Sequence, residues 1–232
     1  MRHWTFIPLG DRAITVDLSA GQPAQRRDLV QSFNAALHDD RPAGVTAYAP
    51  AIQSLTLHYD PTRTTFDALS TQIDTLLHDL HIAPNAAHDP IRIPVCYGGE
   101  YGPDLDVVAR LHDRSPQAIV DEHTAGDYLV AMIGFLPGFP YLEGLHTSLH
   151  TPRRATPRTS VPAGSVGIGG SSTGVYPFAS PGGWHLIGRT PITLFDARRA
   201  QPSLLQAGDR VRFVAITPAE WREHLENRAA AT

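Results

Sequence analysis

The chain has 232 residues, 42% of them hydrophobic and 18% charged, with a formal net charge of −4, which suits one or two domains with a sizeable core and excludes a general nucleic-acid binder with a basic stripe. All 19 basic side chains are arginine; without lysine there is no Walker A or kinase-strand lysine, no Schiff base and no biotin-bearing lysine, because a guanidinium stays protonated and is a poor nucleophile. No apolar run approaches the ~20 residues of a membrane span, residues 1–4 start no signal-peptide apolar core, and Cys96 is the single cysteine, so the expectation is a cytoplasmic protein with no membrane or nucleic-acid partner.

The first part of the chain reads as a small α+β unit. Residues 4–9 and 12–18 are predicted strands around a Gly10-Asp11 turn. Pro23 suits a first helical turn, and Leu29, Val30, Phe33, Ala36 and Leu37 then fall on one helical face. Residues 45–49 and 54–59 read as two more strands, and Asp60-Pro61-Thr62 is predicted to open a second helix carrying Phe66, Leu69, Ile73, Leu76, Leu77 and Leu80. The order ββαββα predicts helices covering one face of an antiparallel sheet. Residues 81–90 have the Pro, Asn and Asp content of a linker, which predicts domains at 1–85 and 86–232.

Beyond the linker, residues 91–97 read as a strand, 103–112 and 116–123 as short helices, and 128–135 as a buried strand. Prolines and glycines then crowd the stretch from 134 to 191, among strand-like pieces at 165–168 and 184–187. Residues 208–214 form a turn and an alternating strand, and a last helix runs from Pro218 to about Arg228. Short strands punctuated by turns predict a barrel or sandwich.

Three stretches of the second part suit chemistry. Gly134-Phe135-Leu136-Pro137-Gly138-Phe139-Pro140-Tyr141 gathers aromatic rings on a stiff backbone, and residues 151–158 put Arg153, Arg154 and Arg158 between prolines. Residues 161–174 and 181–184 are glycine-rich and lead into Trp184. A pocket walled by Phe135, Phe139, Tyr141 and Trp184, with the arginines at its rim, would take a small anion, since guanidinium forks match carboxylate or phosphate oxygens. The alternative reading is barrel corners that need Gly and Pro, with solvated arginines.

Other motifs fail or read structurally. Gly167-Ile168-Gly169-Gly170-Ser171-Ser172 lacks the third glycine of a dinucleotide fingerprint and lies among strands. Ala163-Gly164-Ser165-Val166-Gly167 resembles a nucleophile elbow with no helix after it. Cys96 reads as a small buried hydrophobe, with a nucleophilic role as the second choice. His146 and His150 lack the glutamate and the helix of a zinc motif, so no metal site is expected. His123 stands just before a buried strand, where it either faces the pocket or is a satisfied structural histidine. Glu100, Asp104, Asp106 and Glu143 are the acidic candidates of this part; Glu100 and Asp104 lie at a glycine-rich turn whose alternative reading is a cap for the following helix.

These same residues carry a resemblance. Tyr97-Gly98-Gly99-Glu100-Tyr101-Gly102-Pro103-Asp104-Leu105, the 134–142 stretch, Pro152-Arg153-Arg154 with Pro157-Arg158, Pro162-Ala163-Gly164-Ser165-Val166 and Ser180-Pro181-Gly182-Gly183-Trp184 together resemble the PxpB/KipI family. Leu9-Gly10-Asp11-Arg12-Ala13 resembles its opening turn. Members of that family are described as the B subunit of 5-oxoprolinase, as allophanate hydrolase subunit 1 or as sporulation kinase inhibitor. The resemblance implies an α+β N-terminal domain followed by an all-β cyclophilin-like barrel. It implies one component of an ATP-dependent 5-oxoprolinase that opens 5-oxoproline to glutamate, in direct contact with that enzyme's C subunit and assembled with its A subunit. ATP, with Mg2+, would be held in a site shared across subunits. The expected catalytic residues are His123, Arg153, Arg154 and Arg158. The expected substrate-binding residues are Phe135, Pro137, Gly138, Phe139, Tyr141, Gly164, Ser165, Gly183 and Trp184. Two other functions belong to the same resemblance: a KipI-like inhibitor of a sensor histidine kinase, and half of a urea- or allophanate-related carboxyltransferase.

Overall fold

The computed structural model describes residues 4–20, 23–82 and 89–230. The chain divides into two compact units, Met1–Ala87 and His88–Thr232. The domain boundary expected at 85/86 lies outside the described residues.

The first unit holds β1 (Thr5–Pro8), β2 (Ala13–Asp17), α1 (Pro23–Asp39), β3 (Val45–Pro50), β4 (Ser54–Tyr59) and α2 (Phe66–Asp79). Its four strands pair antiparallel in the order β1-β2-β4-β3. Alternation decides the face: Ile14, Val16, Leu55 and Leu57 turn inward and meet Phe33, Leu37, Leu69 and Ile73 from the two helices. The second helix starts later than the sequence suggests. Asp60 Oδ1 accepts the Thr62 amide at 2.9 Å and its hydroxyl at 2.7 Å, so a local turn competes with the helix. Thr65 then caps α2, its Oγ1 accepting the Ala68 N–H.

The second unit contains β5 (Ile91–Tyr97), α3 (Leu105–Leu111), α4 (Pro116–Ala125), β6 (Tyr128–Ile133), β7 (Pro140–Glu143), β8 (Arg158–Val161), β9 (Ser165–Gly169), β10 (Ser172–Val175), β11 (Ser180–Gly182), β12 (His185–Arg189), β13 (Arg210–Ala215) and α5 (Pro218–Ala230). Seven strands close a barrel in the order β10-β7-β6-β13-β5-β12-β9, and β8 and β11 form a separate ribbon. The β5–β13 pair is parallel; the other barrel pairs are antiparallel.

Its main core is aliphatic, with Ile93, Val95, Val130, Val166, Ile168 and Val211 fully buried, and Val108 of α3 and Ile119 of α4 join it. The barrel is therefore not free of helices, as an all-β expectation would have it. The strand expected over 128–135 ends at Ile133, because residues 134–139 fold into a turn with Gly134 N–H donating to Phe139 O and Phe139 N–H to Leu136 O. A second apolar cluster of Phe139, Val161, Tyr176, Trp184 and Leu186 stands apart from the aliphatic core.

Candidate functional site

The second cluster is built by rings lying on glycine backbone. A Cβ at Gly169 would stand 2.5 Å from the Trp184 ring, so glycine is required for the indole to pack on β9. Phe139 meets Trp184 edge-on at 5.5 Å and Tyr176 at 5.1 Å, while Tyr141 meets Trp184 at 5.8 Å, the geometries that ring quadrupoles favour. Above these rings opens a cavity of about 300 Å³. Its walls are Phe135, Phe139, Tyr141, Tyr176 and Trp184; Arg153 and Arg154 line it too, with Pro157 and the Pro181-Gly182-Gly183 backbone. Phe135 is 58% exposed and has φ +66°, a left-handed conformation rare for a bulky side chain and costing about 1–3 kcal/mol. Burial pushes the Tyr176 phenol up from its ordinary value, against a smaller opposing effect of the Trp184 backbone hydrogen bond, so it stays protonated.

The arginines are organised by Asp104, which is 3% exposed. Asp104 stands at the N-cap of α3 but makes no side-chain cap bond. Its carboxylate is committed elsewhere, which corrects the capping role expected from sequence. Oδ2 accepts the Leu186 N–H at 2.7 Å, while the Asp104 N–H donates to Leu186 O at 2.9 Å. Arg158 grips both carboxylate oxygens, Nη1 to Oδ2 and Nη2 to Oδ1, each at 2.8 Å, and Arg154 Nη1 adds a bond to Oδ1 at 3.1 Å. Burial raises the Asp104 pKa, but the Arg158 hydrogen bonds, the Leu186 amide and the charges of Arg158 and Arg154 outweigh it and leave the group below its ordinary value. The approach of this turn to β12 needs glycine at 102, where a Cβ would sit 2.0 Å from Ile187 O.

The loop that carries the arginines is tied to the start of β12 as well. Arg154 N–H donates to Gly183 O at 2.8 Å. His185 Nε2 lies 3.1 Å from Pro152 O; a carbonyl only accepts, so Nε2 carries the proton. Arg153 is exposed and, among the described residues, makes no ion pair or hydrogen bond.

Of the residues expected at the site, the structure brings Phe135, Phe139, Tyr141, Arg153, Arg154, Gly183 and Trp184 together around the cavity. Arg158 does not line it; its guanidinium is spent on Asp104. Pro137 and Gly138 shape the turn that presents Phe135 and Phe139 without lining the cavity, Gly138 at φ +78°. Gly164, at φ +82°, and Ser165, buried in β9, belong to the barrel wall.

His123 lies away from the cavity, and a catalytic role does not match its surroundings. It is fully buried, stacked on Phe213 at 4.6 Å. Thr173 Oγ1 spends its proton on Gly167 O, so it must accept from His123 Nε2–H at 3.0 Å, which leaves Nδ1 to accept the Tyr97 O–H at 2.8 Å. Both ring nitrogens are thereby satisfied, and burial pulls the pKa down to about 3. Cys96 is buried, and burial followed by the charge of Glu100 pushes its thiol up. Among the described residues no group of three or more His, Cys, Asp or Glu could hold a metal ion.

Sequence reasoning assigned no site role to Tyr176 or His185 and named Asp104 only as one of four acidic candidates, with a helix cap as the alternative. Tyr176 stands between two short unpredicted strands. The signal for Asp104 was present in the pairing of one buried acid with an arginine-rich loop, at a separation of 50 residues from Arg154.

The second unit thus pairs a closed barrel with an aromatic cavity that two arginines also line. Residues 4–205 match the family described as carboxyltransferase domain, subdomains C and D. The chain is 39% identical over 228 residues to the B subunit of the Bacillus subtilis 5-oxoprolinase, covering 94% of this chain and 95% of that protein. It is 44% identical over 209 residues to the Haemophilus influenzae protein of the same name, covering 90% and 96%. A crystal structure of TTHA0988 superposes with a TM-score of 0.78 at 35% identity, over 88% of this chain and 40% of that longer one. The chain belongs to the 5-oxoprolinase B-subunit family of carboxyltransferase-like domains.

Proposed function

We propose that this chain is the B subunit of an ATP-dependent 5-oxoprolinase, a cytoplasmic complex that opens 5-oxo-L-proline to L-glutamate, assembled directly with the C subunit of that enzyme and with its A subunit. The observation that carries the reading is the arginine-mouthed aromatic cavity, in a chain 39% identical over nearly its whole length to a 5-oxoprolinase B subunit. In this reading the α+β domain precedes a barrel of cyclophilin-like architecture. Prolyl isomerisation does not follow from such a barrel, because a fold does not carry function by itself.

The substrate is a flat five-membered lactam with one carboxylate. The aromatic wall of Phe135, Phe139, Tyr141, Tyr176 and Trp184 suits the ring, and guanidinium groups suit the carboxylate. A lactam is a stable amide, so its carbonyl oxygen must be activated, which is the part ATP plays in such a complex. This chain fits the nucleotide poorly: it has no lysine, no carboxylate cluster for a divalent cation among the described residues, and a Gly167–Gly170 run in which the Trp184 ring covers Gly169. ATP and Mg2+ therefore belong mainly to partner surfaces. What this chain's residues do is hold the ring, fix the carboxylate and keep water from the ring's apolar faces.

Reconstitution tests the reading. The chain alone, and mixed with the A and C subunits, is assayed for ATP-dependent glutamate release from 5-oxoproline. Activity in the mixture alone is expected. An assembled mixture without activity overturns the reading and favours a kinase-inhibitor or carboxyltransferase function.

A further inference from the structure

Asp104 sorts the three arginines of the 151–158 loop into unequal kinds. Arg158 gives both Nη groups to the Asp104 carboxylate and lies off the cavity. Arg154 lines the cavity but gives Nη1 to the same carboxylate, and its main chain is held by Gly183. Arg153 lines the cavity with its fork unclaimed by any acid among the described residues.

A guanidinium already in a bidentate bond to a buried carboxylate gains little from a second one. To take it, Arg158 would have to abandon Asp104 and leave that charge buried with fewer partners, a costly exchange. Arg153 faces no such competition.

We infer that Arg153 is the residue that takes the substrate's carboxylate and so sets specificity for an acid-bearing lactam, and that Asp104 with Arg158 is the positioning pair that holds the loop for it. Arg154 stands between the two roles, facing the cavity with one of its Nη groups committed. The inference rests on the cavity being the 5-oxoproline site.

The test compares two ligands that differ only in the carboxylate, 5-oxoproline and 2-pyrrolidinone, binding to the assembled complex by calorimetry. Arg153→Ala is expected to weaken 5-oxoproline on the order of 10- to 100-fold, the worth of a charge-assisted hydrogen bond of about 1.5–3 kcal/mol, and to leave 2-pyrrolidinone unchanged. Added guanidinium ion restores part of the loss. Asp104→Asn releases the loop and lowers the ratio of the two affinities part of the way, and Asp104→Glu recovers it. An Arg153→Ala complex that loses both ligands equally, or neither, overturns the assignment of the carboxylate. An Asp104→Asn complex with a lowered Tm but an unchanged ratio reduces Asp104 to a structural role and overturns the positioning pair. A wild-type complex that fails to bind 5-oxoproline overturns the substrate reading, and this inference falls with it; the wild-type measurement thus separates the two failures.

Discussion

The two apolar clusters of the second unit solve the burial problem in opposite ways. Around His123 the aliphatic barrel core closes on itself: both imidazole nitrogens, the Tyr97 and Thr173 hydroxyls and the His123 carbonyl all find partners. Around Trp184 the closure is incomplete. Arg154 Nε, Ser180 Oγ and His185 Nδ1 are buried with no hydrogen-bond partner among the described residues, Phe135 stands exposed in a strained conformation, and one arginine is unclaimed. A satisfied polar network makes a core rigid and unique, whereas backbone strain clusters at ligand-binding and switch regions. The first cluster is a closed core and the second holds the cavity of the proposed function, although β12 runs between them with Ile187 in one and Leu186 in the other.

The most damaging way to break this division is at the joint. Asp104→Ala leaves two guanidinium groups without their acid and the Leu186 N–H without its acceptor. Removing one partner of a buried ion pair costs about 3–5 kcal/mol, so urea unfolding should show a loss of that order along with loss of activity. A loss below ~1 kcal/mol would mean that the arginines simply re-solvate, as surface pairs do. Next comes the barrel core. His123→Leu strands the Tyr97 O–H and a Thr173 lone pair, and unsatisfied buried groups cost about 1–3 kcal/mol each. Stability should fall by about 2–4 kcal/mol, while residual activity per folded molecule in the complex stays near wild type. A selective collapse of turnover in fully folded His123→Leu would return the residue to the catalytic machinery.

Acid titration sharpens the same contrast. His123 has a folded pKa pulled down to about 3 from an ordinary 6.5, so the unfolded chain takes up the proton first as pH falls. Its contribution is therefore complete above pH 6.5 and drains away as pH drops toward 3, at up to about 1.4 kcal/mol per pH unit for one proton. His185, lowered chiefly by burial, adds in the same direction. Between pH 6.5 and 5 the wild-type unfolding free energy should fall with a slope approaching one to two protons, and His123→Leu should remove one of them. An unchanged slope in that variant would show that the barrel histidine is not what acid attacks.

The sequence made the two clusters unequally legible. Alternating apolar residues in β5, β9 and β13 announced the barrel core, and the Phe, Tyr, Trp and Arg content of three loops announced the cavity, because both signals are local. Four strands of three or four residues, β7, β8, β10 and β11, escaped because their Pro, Gly and Ser content reads as turn; only pairing across the chain makes them strands. The division of labour among the arginines was equally hidden. Three guanidinium groups within six positions look interchangeable until Asp104, 50 residues upstream of Arg154, selects among them. His123 misled for the converse reason. A histidine beside a buried strand looks available, and only the Thr173 and Tyr97 hydroxyls, brought by other strands, show that it is not.

The smallest expected change in stability is the most telling about the second cluster. Phe135 holds φ +66° with its ring largely in solvent, edge-on to Phe139 at 5.5 Å and to Tyr176 at 6.4 Å. Phe135→Gly removes the Cβ that makes this conformation costly, but it also makes the unfolded chain freer, by about 0.5–1 kcal/mol. Against a strain of about 1–3 kcal/mol, the balance should be a gain on the order of 0.5–1 kcal/mol. Phe135→Ala keeps the strain and deletes the ring, so its stability should stay within about 0.5 kcal/mol of wild type. Both variants strip one wall from the cavity, and both should weaken binding of 5-oxoproline and of 2-pyrrolidinone alike, since in the proposed site an apolar wall serves the lactam and not the carboxylate. A variant that gains stability while losing ligand is the signature of strain kept for function. If Phe135→Gly instead loses stability, the ring is packing that the fold needs, and the incompleteness of the second cluster would narrow to its arginines and orphaned polar atoms.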